Sequence, residues 1–203
     1  MTTLRYTLLS DGSSDAALMP IIEWLVGQHR PDLGVLGQLA EGMGAIGLTL
    51  PKRIPAALRL FPCDILFVHR DAESESIDTR LAEIVNALAQ SQQSFIPIIP
   101  VRMTEAWLLS DHAAIRSAAE NRAGQTMLNL PPRKNWETLS DPKKILFDAL
   151  IVASEKSGRA LSKFKPQRQR SFVAQRTKDF SALRGLASFD FFETQLLEKL
   201  GKI

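Results

Sequence analysis

Residues 63–73 read CDILFVHRDAE, and the order of residue types in this stretch decides the fold class. Ile65 to Val68 form an unbroken apolar run, the pattern of a strand covered on both faces, as in a parallel sheet flanked by helices. The run ends in Arg70-Asp71-Ala72-Glu73, polar residues suited to a strand mouth. A stripe of Leu81, Ile84, Val85 and Leu88 then predicts a helix with one apolar face.

Working outward, RYTLLS at 5–10 is β-rich, DGSS at 11–14 is turn-prone, and Leu18, Ile21, Ile22, Leu25 and Val26 recur with helical spacing. Ser13 or Ser14 is expected to cap that helix, Asp15 to complement its dipole, and Pro20 to sit in its first turn. The next segment predicts a strand around Val35 to Leu39, a glycine-rich loop, and a helix from about Pro51 to Leu60. On the far side, SFIPIIPV at 94–101 reads as a fourth strand whose prolines suit an edge or strand ends. Thr104 is expected to cap a helix carrying Ala106, Trp107, Leu108 and Leu109, with Trp107 in the core. Strands alternating with helices predict an α/β fold: a mainly parallel central sheet flanked by helices, with ligands at the carboxyl ends of its strands.

Past Glu120 the sequence turns polar and proline-bearing. Asp141-Pro142 is a helix start, with Asp as N-cap and Pro at the first helical position, and a last helix is expected over Phe189 to Leu200. The predicted organisation is an α/β domain at 1–120 and a helical C-terminal extension at 121–203 packed on it. The extension holds a basic segment, 156–178, with eight Lys or Arg residues and no acid. Lys163, Lys165, Arg168, Arg170 and Arg176, interleaved with Phe164 and Phe172, are candidate nucleic-acid contacts; a solvated basic helix face is the plainer alternative.

The chain has 203 residues, 45% of them hydrophobic and 23% charged, with a formal charge of +3, which is ordinary globular composition. No apolar run is long enough to span a bilayer, and the first residues lack a signal-peptide layout, so a cytoplasmic protein without membrane association is expected. The single cysteine, Cys63, excludes an internal disulfide and a Cys-rich zinc site, and is expected to be a small core residue.

Four acids fall at predicted strand ends: Asp11 and Asp15 after the first strand, Asp71 and Glu73 after the third. Clustered carboxylates suit magnesium or manganese, hard cations that retain water and bridge to phosphate oxygens. Helix capping is the competing role for any one of them, because Asp and Ser are common in strand-to-helix turns. Asp71 with Glu73 is the stronger pair, since both leave one buried strand.

The acid-Gly-x-Ser-Asp turn followed by an acidic pair after a later buried strand resembles the TOPRIM domain of topoisomerases, bacterial primases and overcoming-lysogenization-defect nucleases. More narrowly, DGSSDAAL, FVHRDAE, PVRMTEAWLLSD, LSDPKKIL and SFDFFETQL together resemble an uncharacterised bacterial TOPRIM-like family often encoded beside ATPases. The resemblance implies a TOPRIM/Rossmann-like fold, with Asp11 as general base or metal ligand and Asp71 and Glu73 holding Mg²⁺ or Mn²⁺. The family has glutamate where Asp11 stands and D-x-D where Asp71-Ala72-Glu73 stands; each difference keeps a carboxylate and changes its reach by one methylene. Glu105 and Arg102, beside the Glu-Ala-Trp step, are further candidates, as ligand and phosphate clamp respectively. The implied function is a Mg²⁺-dependent nuclease or other phosphotransfer enzyme acting on nucleic acid, in a defence system with an ATPase. The alternative is a non-catalytic partner of an ATPase, and the third is a receiver-like domain phosphorylated on Asp71. Self-association is compatible with each.

Residues 42–47, GMGAIG, match G-x-G-x-x-G, but a weak preceding strand and the following Pro51 and Pro55 argue against dinucleotide binding and for a loop near the site. His69 is open to three roles: ligand, proton shuttle or packed strand residue. Ser13 and Ser14 lack the G-x-S-x-G elbow of a serine hydrolase.

Overall fold

The computed structural model describes residues 2–44, 46–47 and 49–201. Four strands form one parallel sheet: β1 (Thr2–Leu9), β2 (Leu33–Leu39), β3 (Ile65–His69) and β4 (Phe95–Ile98), in the order β2-β1-β3-β4. Every residue of β3 is buried, as its apolar run predicts for a strand with neighbours on both sides. β4 lies at an edge, where Pro97 can lack its N–H without breaking a second ladder.

Alternation along the strands divides the core in two. Leu4, Tyr6 and Leu8 of β1 and Ile65 and Phe67 of β3 face α1 (Met19–His29). Leu9, Leu66 and Val68 face α2 (Leu50–Leu60) and α3 (Ile77–Leu88) through Ile54, Ala57, Ile84 and Leu88. The strand order reverses direction after β1, so right-handed crossovers require α1 on one face and the next two helices on the other.

The rest of the chain covers the α1 face. After α4 (His112–Ala118) come α5 (Pro142–Ser154), α6 (Gly158–Lys163), α7 (Pro166–Arg176) and α8 (Ala187–Leu200). Leu146, Ala149, Val173, Phe189 and Phe192 join the same core cluster as the strand residues. Aromatic rings link the layers edge to face: Tyr6 with Phe67 at 5.2 Å and Phe67 with Phe192 at 6.2 Å between centroids. Trp107, fully buried as expected, meets Phe189 at 5.4 Å, and its indole N–H donates to Ser188 Oγ at 3.2 Å. Glu137 then accepts from the main-chain N–H groups of Ala187 and Ser188, at 2.9 and 2.8 Å, satisfying the first turn of α8.

Local differences from expectation have local causes. Residues 13–18 form a 3₁₀ turn before α1, with Gly12 as its N-cap, and neither Ser13 nor Ser14 caps it. The 104–110 segment is a 3₁₀ helix too, and Thr104 is its first residue rather than its cap, because the Thr104 hydroxyl is engaged by His69 and Asp71. Its short helix ends at Asp111, which caps α4 by accepting from the Ala114 N–H. β2 begins two residues before the expected Val35. Cys63 is half-buried and precedes β3, so it is not a core strand residue. Of the glycine-rich stretch, Ala45 lies outside the described residues, as does Leu48. Asp141 caps α5 as predicted, accepting from Lys144 N–H at 2.8 Å. No helix among the described residues is long and apolar enough to cross a membrane.

At the β1–β2 pair, Tyr6 lies opposite Gly37, and a Cβ at Gly37 would overlap the Tyr6 ring. Gly37→Ala is therefore expected to lower the unfolding free energy by about 1–3 kcal/mol. A urea titration, with the m-value unchanged, checks it.

Candidate functional site

The chain leaves β1 toward one face of the sheet and β3 toward the other, which opens a crevice between two neighbouring carboxyl ends. In open α/β sheets this switch point is the usual ligand position. Asp11 stands at the end of β1, with about half of its side chain exposed. Arg70, at the end of β3, spans the crevice, its Nη1 3.1 Å from both Asp11 oxygens. Arg53 reaches the same carboxylate from α2 at 3.2 Å and also donates to the Ser10 carbonyl. Two guanidinium groups from different elements thus converge on one exposed acid. Beside them lies a cleft of about 470 Å³, lined by Ser10–Ser13, Arg53 and the described part of the glycine-rich loop. Gly42 and Gly44 have positive φ there, and nothing stands within 4 Å of the place a Cβ would take at either.

Behind the mouth, charges alternate through the interior. His69 is 1% exposed; its Nε2 lies 3.1 Å from Asp71 Oδ1, and its Nδ1 lies 3.4 Å from Asp15 Oδ2 without a well-formed hydrogen bond. Asp15 accepts from the Gly12 N–H at 3.2 Å, and Arg170 Nη2 approaches it to 3.7 Å. Arg170 in turn pairs with Glu105, which is 2% exposed. Asp71 also accepts from the Thr104 main-chain N–H at 3.0 Å. Burial would depress the His69 imidazole, but the adjoining Asp15 and Asp71 carboxylates outweigh it and lift the pKa from the ordinary 6.5 to about 9. For Asp15, burial acts upward, and the His69, Gly12 and Arg170 interactions together hold it below its ordinary value.

Glu73 points away from this line. It is exposed, 3.9 Å from Arg80, and its backbone has φ 55°. Its N–H donates to the carbonyl of Arg102, itself at φ 66°. Left-handed backbone at two non-glycine residues costs on the order of 1–3 kcal/mol each, and such strain gathers at functional segments. The Arg102 side chain is exposed.

The structure therefore separates the predicted residues into groups. Asp11 belongs with Arg53 and Arg70; Asp15, Asp71 and Glu105 belong to the buried line; Glu73 and Arg102 sit on the strained loops beside it. As arranged, the acids face separate partners: both Asp11 oxygens face Arg70, Asp71 Oδ1 faces His69 and Thr104, and Glu73 turns toward Arg80. Among the described residues no group of three or more His, Cys, Asp or Glu side chains is placed to hold a metal.

No protein-family model, curated protein or solved structure matches this chain.

In the basic segment, Lys163, Lys165, Arg168 and Arg176 are exposed, but Arg170 is 6% exposed and faces inward. Its place in the outward basic surface is corrected: the buried carboxylate of Glu105 needs a counter-charge, and Arg170 supplies it. Arg53 and Arg70 were not singled out by sequence. Arg70 carried a signal, a cation directly between the last strand residue and Asp71. Arg53 carried none, being one of two adjacent cations, Lys52 and Arg53, in the helix expected from about Pro51 to Leu60.

A buried imidazolium with a raised pKa stabilises the fold most when the pH is low enough to protonate it in the unfolded chain as well. Its contribution is complete below about pH 6.5 and disappears as the pH rises through about 9. At about 1.4 kcal/mol per pH unit, the loss comes to roughly 3 kcal/mol. Thermal melting between pH 6 and 9.5 is expected to show this decline, and His69→Gln, less stable overall, is expected to lack it.

Proposed function

We propose that this chain engages the phosphates of nucleic acid at the mouth between β1 and β3. The observation that supports the reading is the convergence of Arg53 and Arg70 on the exposed Asp11 carboxylate. A carboxylate held by two guanidinium groups occupies the position a phosphate would take, since paired, planar donors recognise both anions. A phosphodiester entering the adjacent cleft competes with Asp11 for the two arginines. The backbone of residues 10–13 and of the open glycine loop lets the ligand approach closely.

Phosphodiester hydrolysis, the activity that the TOPRIM resemblance implies, is the stronger form of the proposal. It requires Asp11 to be released as the arginines pass to the ligand. A water oxygen then attacks phosphorus, the bond to the leaving nucleoside oxygen breaks, Asp11 takes the water's proton, and the leaving oxygen takes one from solvent. Arg53 and Arg70 stabilise the charge gathering on the phosphoryl oxygens. A second reading, a non-catalytic nucleic-acid-binding partner of another protein such as an ATPase, is favoured by one observation. Asp11, Asp15, Asp71 and Glu105 each already have a cationic partner.

Labelled single- and double-stranded DNA and RNA, in Mg²⁺, Mn²⁺ or EDTA, separate these forms. Arg70→Ala is expected to weaken binding about tenfold or more, whereas Asp11→Asn is expected to tighten it by removing the competing anion while abolishing any cleavage. Binding without cleavage in every metal selects the non-catalytic reading. Binding left unchanged by both substitutions, or weakened by Asp11→Asn, overturns the phosphate mouth.

A further inference from the structure

A second recess lies on the helical side, between the end of α5, α6 and the start of α7. Its volume is about 260 Å³, and Lys156, Lys163, Lys165 and Arg168 line it with Glu120 and Phe164. Lys156 is held in place: its ammonium lies 3.2 Å from Glu120 and over the Phe164 ring at 5.4 Å. The side chains of Lys163, Lys165 and Arg168 make no ion pair or hydrogen bond among the described residues. Four cations and one carboxylate thus share a recess in a segment that contains no acid from 156 to 178. Such like-charge crowding is unfavourable without an anion.

The recess is distinct from the strand mouth. Arg168 and Arg170 are two residues apart on α7, so they project to roughly opposite sides of it, at about 100° per residue. Arg170 turns in toward Glu105 and Asp15, and Arg168 turns out into the recess. The volume is below the roughly 300–1,000 Å³ of sites that enclose a whole small molecule. It suits one phosphate and its sugar within a longer polymer, and its concavity does not match a flat lipid surface.

We infer that the α6–α7 recess is a second phosphate-binding site, which holds the backbone of a nucleic acid strand through Lys163, Lys165 and Arg168. The nucleic-acid source of that phosphate rests on the function proposed above; the recess and its charge do not. Because these side chains are exposed, their removal should leave folding intact.

The test is fluorescence anisotropy of a labelled oligothymidylate against a NaCl series, with full-length wild type, the triple variant Lys163→Ala/Lys165→Ala/Arg168→Ala, and Lys143→Ala as an exposed-lysine control. The triple variant is expected to bind about tenfold or more weakly at low salt. Its slope of log affinity against log salt should be shallower by about 2, since each lost phosphate contact on a single strand contributes roughly 0.7. An unchanged slope, or an equal loss in Lys143→Ala, overturns the site. Arg70→Ala measured alongside keeps the two proposals apart: loss in Arg70→Ala alone leaves the mouth and removes the recess, and loss in the triple variant alone does the reverse. Vesicles of phosphatidylcholine with phosphatidylglycerol are the remaining arm. Binding to them through the same three residues, without oligothymidylate binding, overturns the nucleic-acid assignment.

Discussion

His69 holds the structure's charges in order. It is the last residue of a fully buried strand, and a protonated imidazole there is tolerable only because Asp15 and Asp71 stand on either side of it. Those two acids come from different loops, so the ion pairs tie the exit of β1 to the exit of β3. Arg170 extends the line to α7, and Glu105 closes it in the segment after β4. Three strand mouths and one helix of the C-terminal region are thereby connected through charges that would each be costly alone.

This interior arrangement shapes what remains outside. Asp15 and Glu105 have their charge used internally, which leaves Asp11 and Glu41 as the acids lining the cleft, and the partners of Asp11 are arginines rather than other acids. Arg53 is buried, but the Asp11 carboxylate is about half exposed, so water and salt reach its ion pairs and leave them only modestly stabilising. They are therefore exchangeable contacts, unlike the buried line behind them. The same division runs along α7, where Arg170 is committed to the interior and Arg168 is left to the surface.

Much of the fold was legible in the chain. The apolar run of residues 65–68, the helical stripes that follow the strands and the Asp141-Pro142 start each report a local or nearly local preference, and the α/β architecture with a parallel sheet follows from their alternation. The places where expectation and structure differ are those where a distant partner overrides a local preference. Thr104 would make a good cap, yet His69 and Asp71 engage its hydroxyl; Asp15 does sit in the first turn and accepts from the Gly12 N–H as a local preference predicts, but it also neutralises a histidine and approaches an arginine 155 residues away.

The candidate site divides in the same way. Sequence by itself placed Asp11 and Asp71 at strand ends, because a buried run must stop where polar residues begin. It marked the basic segment too, because charge composition is local. Only the tertiary structure decided that Arg53 and Arg70 meet Asp11, that Arg170 leaves the basic surface for Glu105, and that the remaining cations curve around a recess. The physical reason is that a charge finds its partner across space, where screening, burial and reach decide the pairing, and none of these three is written in the spacing of residues along the chain.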